Sequence, residues 1–353
     1  MMYKDIVFYV AYPYYFPHFI PIAKQFEKEG YSVGFALEKK QNIELMRKIA
    51  KENQYDYYEV EDDLSSIRAK VLFVANTTLQ SDKLSMKTVF LCHGIGTKKC
   101  GFERALQQYD MVLVEGDYRY EKYASQYPQY TSKLVKVGYT KLDGYLEVSK
   151  EKRNKLLQSY GLESRKKTIL YAPTFFPSSI EKMSDDFPQE LSDYNIIIKP
   201  HYLSLSRKRY KKQQKKFQIW SRYPNVALIG AEGYNLLEYM AISDVMISDE
   251  SSAVFEFAAM KKPVIINHFL ALRFSYYLNP KKLLKRMDEE MEAFKDVGFR
   301  AYNYHEMITY VKSVIEKPAL LEDLPIELIQ KICGEVDGLA SVRVVQAVEK
   351  YLL

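Results

Sequence analysis

The sequence predicts an α/β protein made of two tandem, doubly wound Rossmann-like domains. Short apolar runs alternate with stretches of helical periodicity along its 353 residues. Most of these runs are continuous, as in strands of a parallel sheet that helices cover on both faces. The length suits two domains of ordinary α/β size.

The first series of elements occupies the N-terminal part of the chain. The predicted strands are Ile6–Val10, Ser32–Leu37, Val71–Ala75, Thr88–Leu91, Met111–Val114 and Leu134–Val137. The predicted helices between them are Pro21–Glu29, Ile43–Lys51, Phe102–Gln108 and Tyr118–Tyr127.

A polar, lysine-rich segment at 148–167 separates the two series and predicts domains at 1–150 and 151–353. The second series of predicted strands is Thr168–Tyr171, Asn195–Lys199, Val226–Ile229, Val245–Ser248 and Val264–Ile266. We expect the last helix, Ala340–Leu352, to return to the N-terminal domain. Two such domains with a cleft between them have the GT-B layout.

Bulk composition favours a folded cytoplasmic protein. The chain has 51 basic and 45 acidic residues, a mild net charge of +6. Its three cysteines show neither zinc-site spacing nor a disulfide framework. We find no signal peptide and no apolar run long enough to span a bilayer. No recognition motif accompanies the basic residues, so we expect no nucleic-acid partner.

One helix-length segment combines basic and aromatic residues, which suggests an anionic membrane surface as a partner. A solvated helix face explains the same pattern equally well. A second basic cluster lies at 281–286. The residues predicted to face the membrane are Arg207, Lys208, Lys211, Lys212, Lys215, Lys216 and Trp220.

The segment 243–265 predicts a buried strand, an acidic Ser-Ser turn, a helix and a second strand. The turn is Asp249-Glu250-Ser251-Ser252. Amide groups at the start of a helix suit a phosphate or pyrophosphate. The alternative is that Ser251 or Ser252 only caps the helix.

Two histidines follow predicted strands, where α/β folds bind ligands. His93 leads into Gly94-Ile95-Gly96-Thr97-Lys98-Lys99, and its imidazole suits a general base. His201 follows Lys199-Pro200 and is suited to hold a phosphate as charge builds. The hydroxyl of Thr174 is expected in the same site, whereas His268 and His305 are interpreted as structural.

Several chemistries are absent from the sequence. It has no GxxxxGK[ST] phosphate loop, no GxGxxG after a strand, no HExxH and no CxxC. Asp249 and Glu250 are candidates to recruit Mg²⁺ near a pyrophosphate, but His and Lys side chains are able to replace it. The motifs establish no cofactor, and Mg²⁺ stays an open candidate.

Taken in order, the motifs resemble those of the CDP-glycerol glycerophosphotransferase family, which builds teichoic acids. They are His93-Gly94, Tyr171–Thr174, Ile198–His201, Ser248–Glu256 and Asp337–Ser341. Together they extend over most of the chain from about residue 88 onward.

The resemblance implies a GT-B fold and a donor bound by the C-terminal domain. An acceptor hydroxyl would attack the β-phosphorus of CDP-glycerol, and CMP would leave. His93 would act as base, His201 would stabilise the phosphates, and Ser251 and Ser252 would hold the pyrophosphate. Glu256 would bind the ribose. The residues predicted to bind the donor are Gly94, Thr174, Lys199, Asp249, Ser251, Ser252 and Glu256. The acceptor would be a lipid-linked saccharide or a glycan, with the enzyme on the inner face of the cell membrane.

The chain departs from the family pattern at three motifs. His93-Gly94 continues as Ile-Gly-Thr-Lys-Lys, and Thr174 is followed by Phe-Phe-Pro. Glu250 stands where an aromatic residue is usual. These departures bear on the identity of the donated group. Three other functions share part of the pattern: a GT-B glycosyltransferase for capsule or cell-surface polysaccharide, a sugar-nucleotide epimerase, and a non-catalytic nucleotide- or polyanion-binding protein.

Overall fold

The computed structural model describes residues 3–39, 42–61, 64–76, 84–95, 101–145, 148–272, 276, 294, 296–317 and 325–353. Two compact units divide the chain. Unit 1 comprises residues 1–144 and 330–353, and unit 2 comprises residues 145–329. The basic cluster at 281–286 and the Gly96–Lys99 part of the glycine loop lie outside the described residues.

Unit 1 contains a seven-stranded parallel sheet in the order β3-β2-β1-β4-β5-β6-β7. Its strand order reverses between β1 and β4, which places the switch point of the doubly wound fold there. The strands are β1 (Lys4–Val10), β2 (Val33–Glu38), β3 (Tyr57–Val60), β4 (Ala69–Val74), β5 (Lys87–Leu91), β6 (Met111–Val114) and β7 (Leu134–Lys136).

Four helices of unit 1 accompany these strands: α1 (Phe16–Lys28), α2 (Ile43–Glu52), α3 (Phe102–Gln108) and α4 (Asp117–Gln126). The sequence pattern placed the start of α1 at Pro21, but the helix begins at Phe16 and contains Pro21. Pro17 occupies the first turn, where a missing amide hydrogen costs nothing.

Unit 2 contains a six-stranded parallel sheet in the order β10-β9-β8-β11-β12-β13. Its switch point lies between β8 and β11, which are paired from Val245 to Ser248. The strands are β8 (Thr168–Ala172), β9 (Asn195–Ile198), β10 (Val226–Leu228), β11 (Val245–Ser248), β12 (Val264–Asn267) and β13 (Phe299–Ala301).

Unit 2 also contains helices. They are α5 (Lys150–Ser159), α6 (Phe187–Glu190), α7 (Tyr202–Ser206), α8 (Lys211–Trp220), α9 (Leu236–Ile242), α10 (Ala253–Ala259) and α11 (Tyr304–Glu316). Two helices follow, α12 (Ile326–Cys333) and α13 (Ala340–Tyr351).

Residues 330–353 complete unit 1. Helix α13 packs against α1. The carboxylate of Asp143 accepts hydrogen bonds from the amide of Ser341 at 2.7 Å and from its hydroxyl at 2.6 Å. Arg343 donates to the carbonyl oxygen of Val137 at 2.8 Å and pairs with Asp337. The motif Asp337–Ser341 therefore holds the end of the chain against unit 1.

The aromatic side chains of α8 point inward, which corrects the membrane-facing role predicted for Trp220. Trp220 is 0% exposed and Phe217 is 1% exposed in the core of unit 2. The indole nitrogen of Trp220 donates to the carbonyl oxygen of Ser184 at 3.0 Å, and its ring lies 5.7 Å from that of Phe187. A buried ring of this kind is committed to packing.

The basic side chains of this segment divide into two groups. Lys216 donates to the carbonyl oxygen of Met183 and pairs with Asp185 at 2.9 Å, so it is bound to unit 2 itself. The exposed members are Arg207, Lys208, Arg209, Lys211, Lys212 and Lys215. The exposed surface of this segment is therefore basic and offers no apolar face that inserts into a membrane. Among the described residues no helix is long and apolar enough to cross a membrane.

Candidate functional site

His93 lies two residues beyond β5, at the carboxyl edge of the unit 1 sheet. Its Nδ1 is 3.0 Å from the carbonyl oxygen of Ala75, which follows β4. Because a carbonyl oxygen only accepts, Nδ1 carries the hydrogen, and Nε2 of the neutral ring carries the lone pair. The ring is thus oriented as a proton acceptor. Its partner is a main-chain atom just beyond the adjacent strand, β4.

Two tyrosines from the loop after β1 surround this histidine. The ring centroids of Tyr14 and Tyr15 lie 5.6 Å and 5.2 Å from that of His93. Burial raises the pKa of both phenol groups, so both remain neutral. Gly94 is buried beside His93. Cys92 is disulfide-bonded, which the cysteine spacing did not indicate, and Cys333 is buried.

His201 has the opposite tautomer in unit 2. It precedes α7, and its Nδ1 accepts a hydrogen bond from the amide of Leu203 at 3.1 Å. The hydrogen of the neutral ring therefore resides on Nε2, which is a donor. The Phe175 ring packs against the imidazole at 4.7 Å between centroids, and the histidine is exposed. This arrangement suits contact with an anion.

Lys199 follows β9, two residues before His201. Burial lowers the pKa of its ammonium group to about 8, and the carboxylate of Glu232 opposes that shift. Its Nζ donates to the carbonyl oxygen of Pro200 at 3.2 Å. Lys199 therefore remains mostly cationic at neutral pH and adds positive charge beside His201.

Asp249 has a different role from the one that the sequence suggested. We expected it to contact a ligand, but it is 0% exposed. Its carboxylate accepts from the amide of Thr174 at 2.9 Å, the hydroxyl of Ser178 at 3.0 Å and the amide of Ser179 at 3.1 Å. The hydroxyl of Ser179 is a fourth donor. Asp249 thus joins β11 to the loop at 174–179 across the switch point.

The electrostatics of Asp249 follow from its burial. Desolvation raises the pKa of this carboxyl to about 6, and the hydrogen bonds from Ser179, Ser178 and Thr174 limit the rise. The group is therefore ionised at neutral pH. The hydroxyl of Thr174 donates to the carbonyl oxygen of Pro177 at 2.7 Å, so it also organises the loop. Asp249 and Thr174 therefore both organise the loop at 174–179 through hydrogen bonds within the protein.

Ser251 and Ser252 lie at the turn into α10, and both are partly exposed. The Ser252 side chain makes no capping hydrogen bond. The hydroxyl of Ser251 lies 3.0 Å from that of Ser248. The side chain of Ser252, the N-cap residue, therefore does not act as the simple cap that was the alternative for this turn. Glu256 lies inside α10 and is 3% exposed.

A contact that no sequence motif predicted lies at the same edge of the sheet. His268, interpreted above as structural, follows β12, and its Nδ1 lies 3.0 Å from a carboxylate oxygen of Glu250. The two residues are 18 positions apart, and no local spacing indicates their contact. Among the described residues no group of three or more His, Cys, Asp or Glu side chains is placed to hold a metal ion. The Mg²⁺ expectation for Asp249 and Glu250 therefore has no fitting ligand set there.

Comparisons with known sequences give consistent results. The profile of the family CDP-glycerol:poly(glycerophosphate) glycerophosphotransferase matches residues 4–350. The teichoic acid glycerol-phosphate primase of Bacillus subtilis (strain 168) is 26% identical over 164 residues, which cover 46% of this chain and 41% of the primase. The teichoic acid glycerol-phosphate transferase of Staphylococcus aureus (strain NCTC 8325 / PS 47) is 22% identical over 277 residues, covering 71% and 63%. The chain thus spans about two fifths of the primase's length.

Solved structures share the architecture. The wall teichoic acid polymerase TagF has a TM-score of 0.69 at 18% identity, covering 98% of this chain and 88% of that one. The UDP-GlcNAc 2-epimerase from Neisseria meningitidis has a TM-score of 0.66 at 13% identity, covering 98% and 100%. These likenesses establish the GT-B fold class that the sequence predicted. By the family match over nearly its whole length, the chain belongs to the CDP-glycerol:poly(glycerophosphate) glycerophosphotransferases.

Proposed function

We propose that the protein transfers glycerol phosphate, or a related polyol phosphate, from a CDP-linked donor to a hydroxyl group of a lipid-linked saccharide or glycan. The product would belong to teichoic acid or a similar cell-surface polymer. The observation that carries the proposal is the pair of opposite histidine tautomers. His93 presents a proton acceptor at Nε2, and His201 presents a proton donor at Nε2.

The reaction needs both properties. The acceptor oxygen attacks the β-phosphorus of the donor, and the bond from that phosphorus to the oxygen bridging to CMP breaks. His93 accepts the proton of the attacking hydroxyl as the new P–O bond forms. CMP leaves with the bridging oxygen and its electron pair. His201 and Lys199 stabilise the negative charge that builds on the phosphate oxygens.

Donor binding belongs to unit 2 in this proposal. The pyrophosphate is held at the carboxyl ends of β8 and β11 by Ser251 and Ser252, where doubly wound sheets bind phosphates. Glu256, one turn into α10, is assigned to the ribose in this proposal. Asp249 keeps the loop at 174–179 in place. No step requires a metal ion.

Purified protein should release CMP from CDP-glycerol or CDP-ribitol in the presence of a lipid-linked disaccharide. UDP-N-acetylglucosamine serves as the competing donor. CMP that appears only with a CDP-polyol and only with acceptor supports the proposal. Release of UDP, or no release from any donor, contradicts it, and UDP would indicate a glycosyltransferase instead.

We further propose that the protein works on the inner face of the cell membrane and binds it by charge alone, through the exposed part of α8 and the residues before it. Replacing Lys208, Lys211, Lys212 and Lys215 by Gln should weaken binding to vesicles containing phosphatidylglycerol at least tenfold at low salt, since each basic residue near an anionic surface contributes about 1 kcal/mol. Vesicle co-sedimentation measures this.

The control for that experiment replaces Lys48 and Lys51 on α2 by Gln. The thermal midpoint should be unchanged in both variants because all of the substituted lysines are exposed. Binding that persists at full strength after the four substitutions at 208–215 would remove this surface from the proposal. Salt should weaken wild-type binding, as expected of an electrostatic contact.

A further inference from the structure

Two tyrosines that follow β1, Tyr12 and Tyr14, form an aromatic surface that the reaction described above does not use. We propose that this tyrosine stack binds the sugar ring that carries the acceptor hydroxyl, and thereby favours a saccharide acceptor over the end of an acyclic polyol phosphate chain. The inference rests on the proposed function, because it takes His93 as the base of the transfer. It assigns the chemical class of the group that receives the phosphate.

The two rings are parallel and partly open to solvent. Their centroids lie 5.2 Å apart, and their planes differ by 8°. Tyr12 is 37% exposed and Tyr14 is 41% exposed, whereas the neighbouring Tyr15 is 2% exposed. A large aromatic side chain that serves only packing is buried as Tyr15 is, and two adjacent exposed rings indicate a surface for a ligand.

The main chain and Tyr15 hold the tyrosine stack in place. Pro13–Tyr15 form a 3₁₀ turn, in which the amide of Tyr15 donates to the carbonyl oxygen of Tyr12 at 3.0 Å. Pro13 is buried at the start of this turn, where its ring fixes φ. The Tyr15 ring crosses those of Tyr12 and Tyr14 at 77° and 84°. Because the stack is already ordered, a ligand that binds there loses little affinity to the ordering of side chains.

The position of the stack beside the base selects the acceptor as its ligand. The ring centroid of Tyr14 lies 5.6 Å from that of His93. The tyrosines follow β1, and Ala75, whose carbonyl oxygen orients His93, follows β4. The stack therefore lies at the switch point of unit 1, where doubly wound sheets bind ligands. A sugar ring whose hydroxyl group gives its proton to His93 lies within reach of Tyr14.

The chemistry of this surface favours a neutral sugar ring. The C–H groups on the face of a sugar ring are apolar, so their burial against aromatic rings is favourable. An acyclic polyol phosphate offers no such face. Burial and the negative charge of Glu38 both raise the pKa of the Tyr15 phenol, so a carboxylate lies close to the stack. That charge repels the phosphate groups of a polyol phosphate chain and leaves a neutral saccharide unaffected.

The test measures CMP release with two soluble acceptors, an N-acetylhexosamine disaccharide on a short alkyl chain and the same compound extended by one glycerol phosphate. Wild type should use the first at least tenfold better in kcat/KM. Tyr12→Leu should raise KM for the disaccharide about tenfold, the loss expected for one aromatic contact, with kcat within threefold. Tyr12→Phe keeps the ring and should stay within threefold of wild type. Tyr3→Leu, at another exposed tyrosine of unit 1, is the matched control.

Three results would overturn the inference. An unchanged KM for the disaccharide in Tyr12→Leu would show that the sugar does not contact the stack. A loss that appears only with an acceptor on a long isoprenyl chain would assign the stack to the lipid, since leucine keeps apolar bulk but no ring. A wild type that prefers the extended acceptor would be a chain-extending enzyme, against the selectivity inferred here.

Saturation-transfer NMR of the disaccharide without donor separates this inference from the proposed function. Sugar binding that is lost in Tyr12→Leu, in a protein that releases no CMP from any donor, would remove the proposed function and leave the sugar site. A wild type that neither binds the disaccharide nor releases CMP would remove both. Circular dichroism confirms that each variant is folded.

Discussion

Replacing His93 by Gln is expected to lower kcat for polyol-phosphate transfer by about 10²- to 10⁴-fold, the usual contribution of a positioned general base. Glutamine is able to keep a hydrogen bond to the carbonyl oxygen of Ala75, so its position is retained. It has no basic nitrogen at the place of Nε2. Binding of the CDP-linked donor should change by less than twofold, because donor binding is assigned to unit 2. Steady-state CMP release and calorimetry with the donor measure the two quantities.

The matched control is His305→Gln, since His305 is exposed on α11 and is interpreted as structural. The pH dependence provides a second criterion. A base that must be neutral makes kcat/KM fall at acid pH, and the variant should lose this limb. Retention of more than a tenth of wild-type kcat, with an unchanged acid limb, would show that His93 is not the base.

Replacing Asp249 by Asn is expected to destabilise unit 2 by about 2 kcal/mol. Each carboxylate oxygen accepts from one main-chain amide, that of Thr174 for one oxygen and that of Ser179 for the other. An Asn side chain presents an NH₂ group on one side, so it confronts an amide whichever way it turns. The serine hydroxyls are able to rotate, but main-chain amides are not. A buried N–H left without an acceptor costs about 1–3 kcal/mol.

Urea denaturation monitored by tryptophan fluorescence measures the loss of stability in unit 2. Trp220 is the single tryptophan of the sequence and lies in the core of unit 2. Asp193→Asn, at an exposed carboxylate, is the control and should leave the midpoint unchanged. The loop at 174–179 also carries Phe175, which packs on His201, so CMP release should fall together with stability. Surface substitutions usually change the free energy of unfolding by no more than about 0.5 kcal/mol. A free energy of unfolding within that range of the wild-type value would contradict the prediction.

Central strands were predictable from sequence, whereas two of the four edge strands, β3 and β13, were not. The strands β1, β4 and β8 are covered on both faces and appear as continuous apolar runs. The pattern predicted neither β3 nor β13. Strand β3, Tyr57–Val60, is partly exposed and contains a glutamate, and β13 is only Phe299–Ala301. At a sheet edge, pairing to a single neighbour suffices, and the sequence carries a weaker apolar signal.

The error at Trp220 was avoidable in part. Tyr210, Gln213, Phe217 and Trp220 recur at spacings of three and four residues, and all four are buried. That spacing places the aromatic rings on one face of the segment and most of the lysines on the other. A membrane-inserting helix would need the aromatic face to remain unoccupied, whereas a core helix buries it.

Site residues were predictable as strand-end positions but not as contacts. Parallel sheets place ligands at the carboxyl ends of their strands, which brought His93, Lys199 and His201 to notice. Which atom each residue contacts depends on distant parts of the chain. Asp249 accepts from a loop about 70 positions earlier, and Glu250 meets His268 across two strands. No spacing rule within one sequence encodes such contacts.

The division of unit 1 between the two ends of the chain has a consequence for synthesis. Unit 2 is one continuous segment, so all of its residues leave the ribosome before residues 330–353 emerge. The sheet of unit 1 is made earlier, yet α1 must wait for α13 to cover it. In a nascent chain, unit 2 should therefore fold while unit 1 is still incomplete. Unit 1 is the part of the chain that a ribosome-associated chaperone would bind.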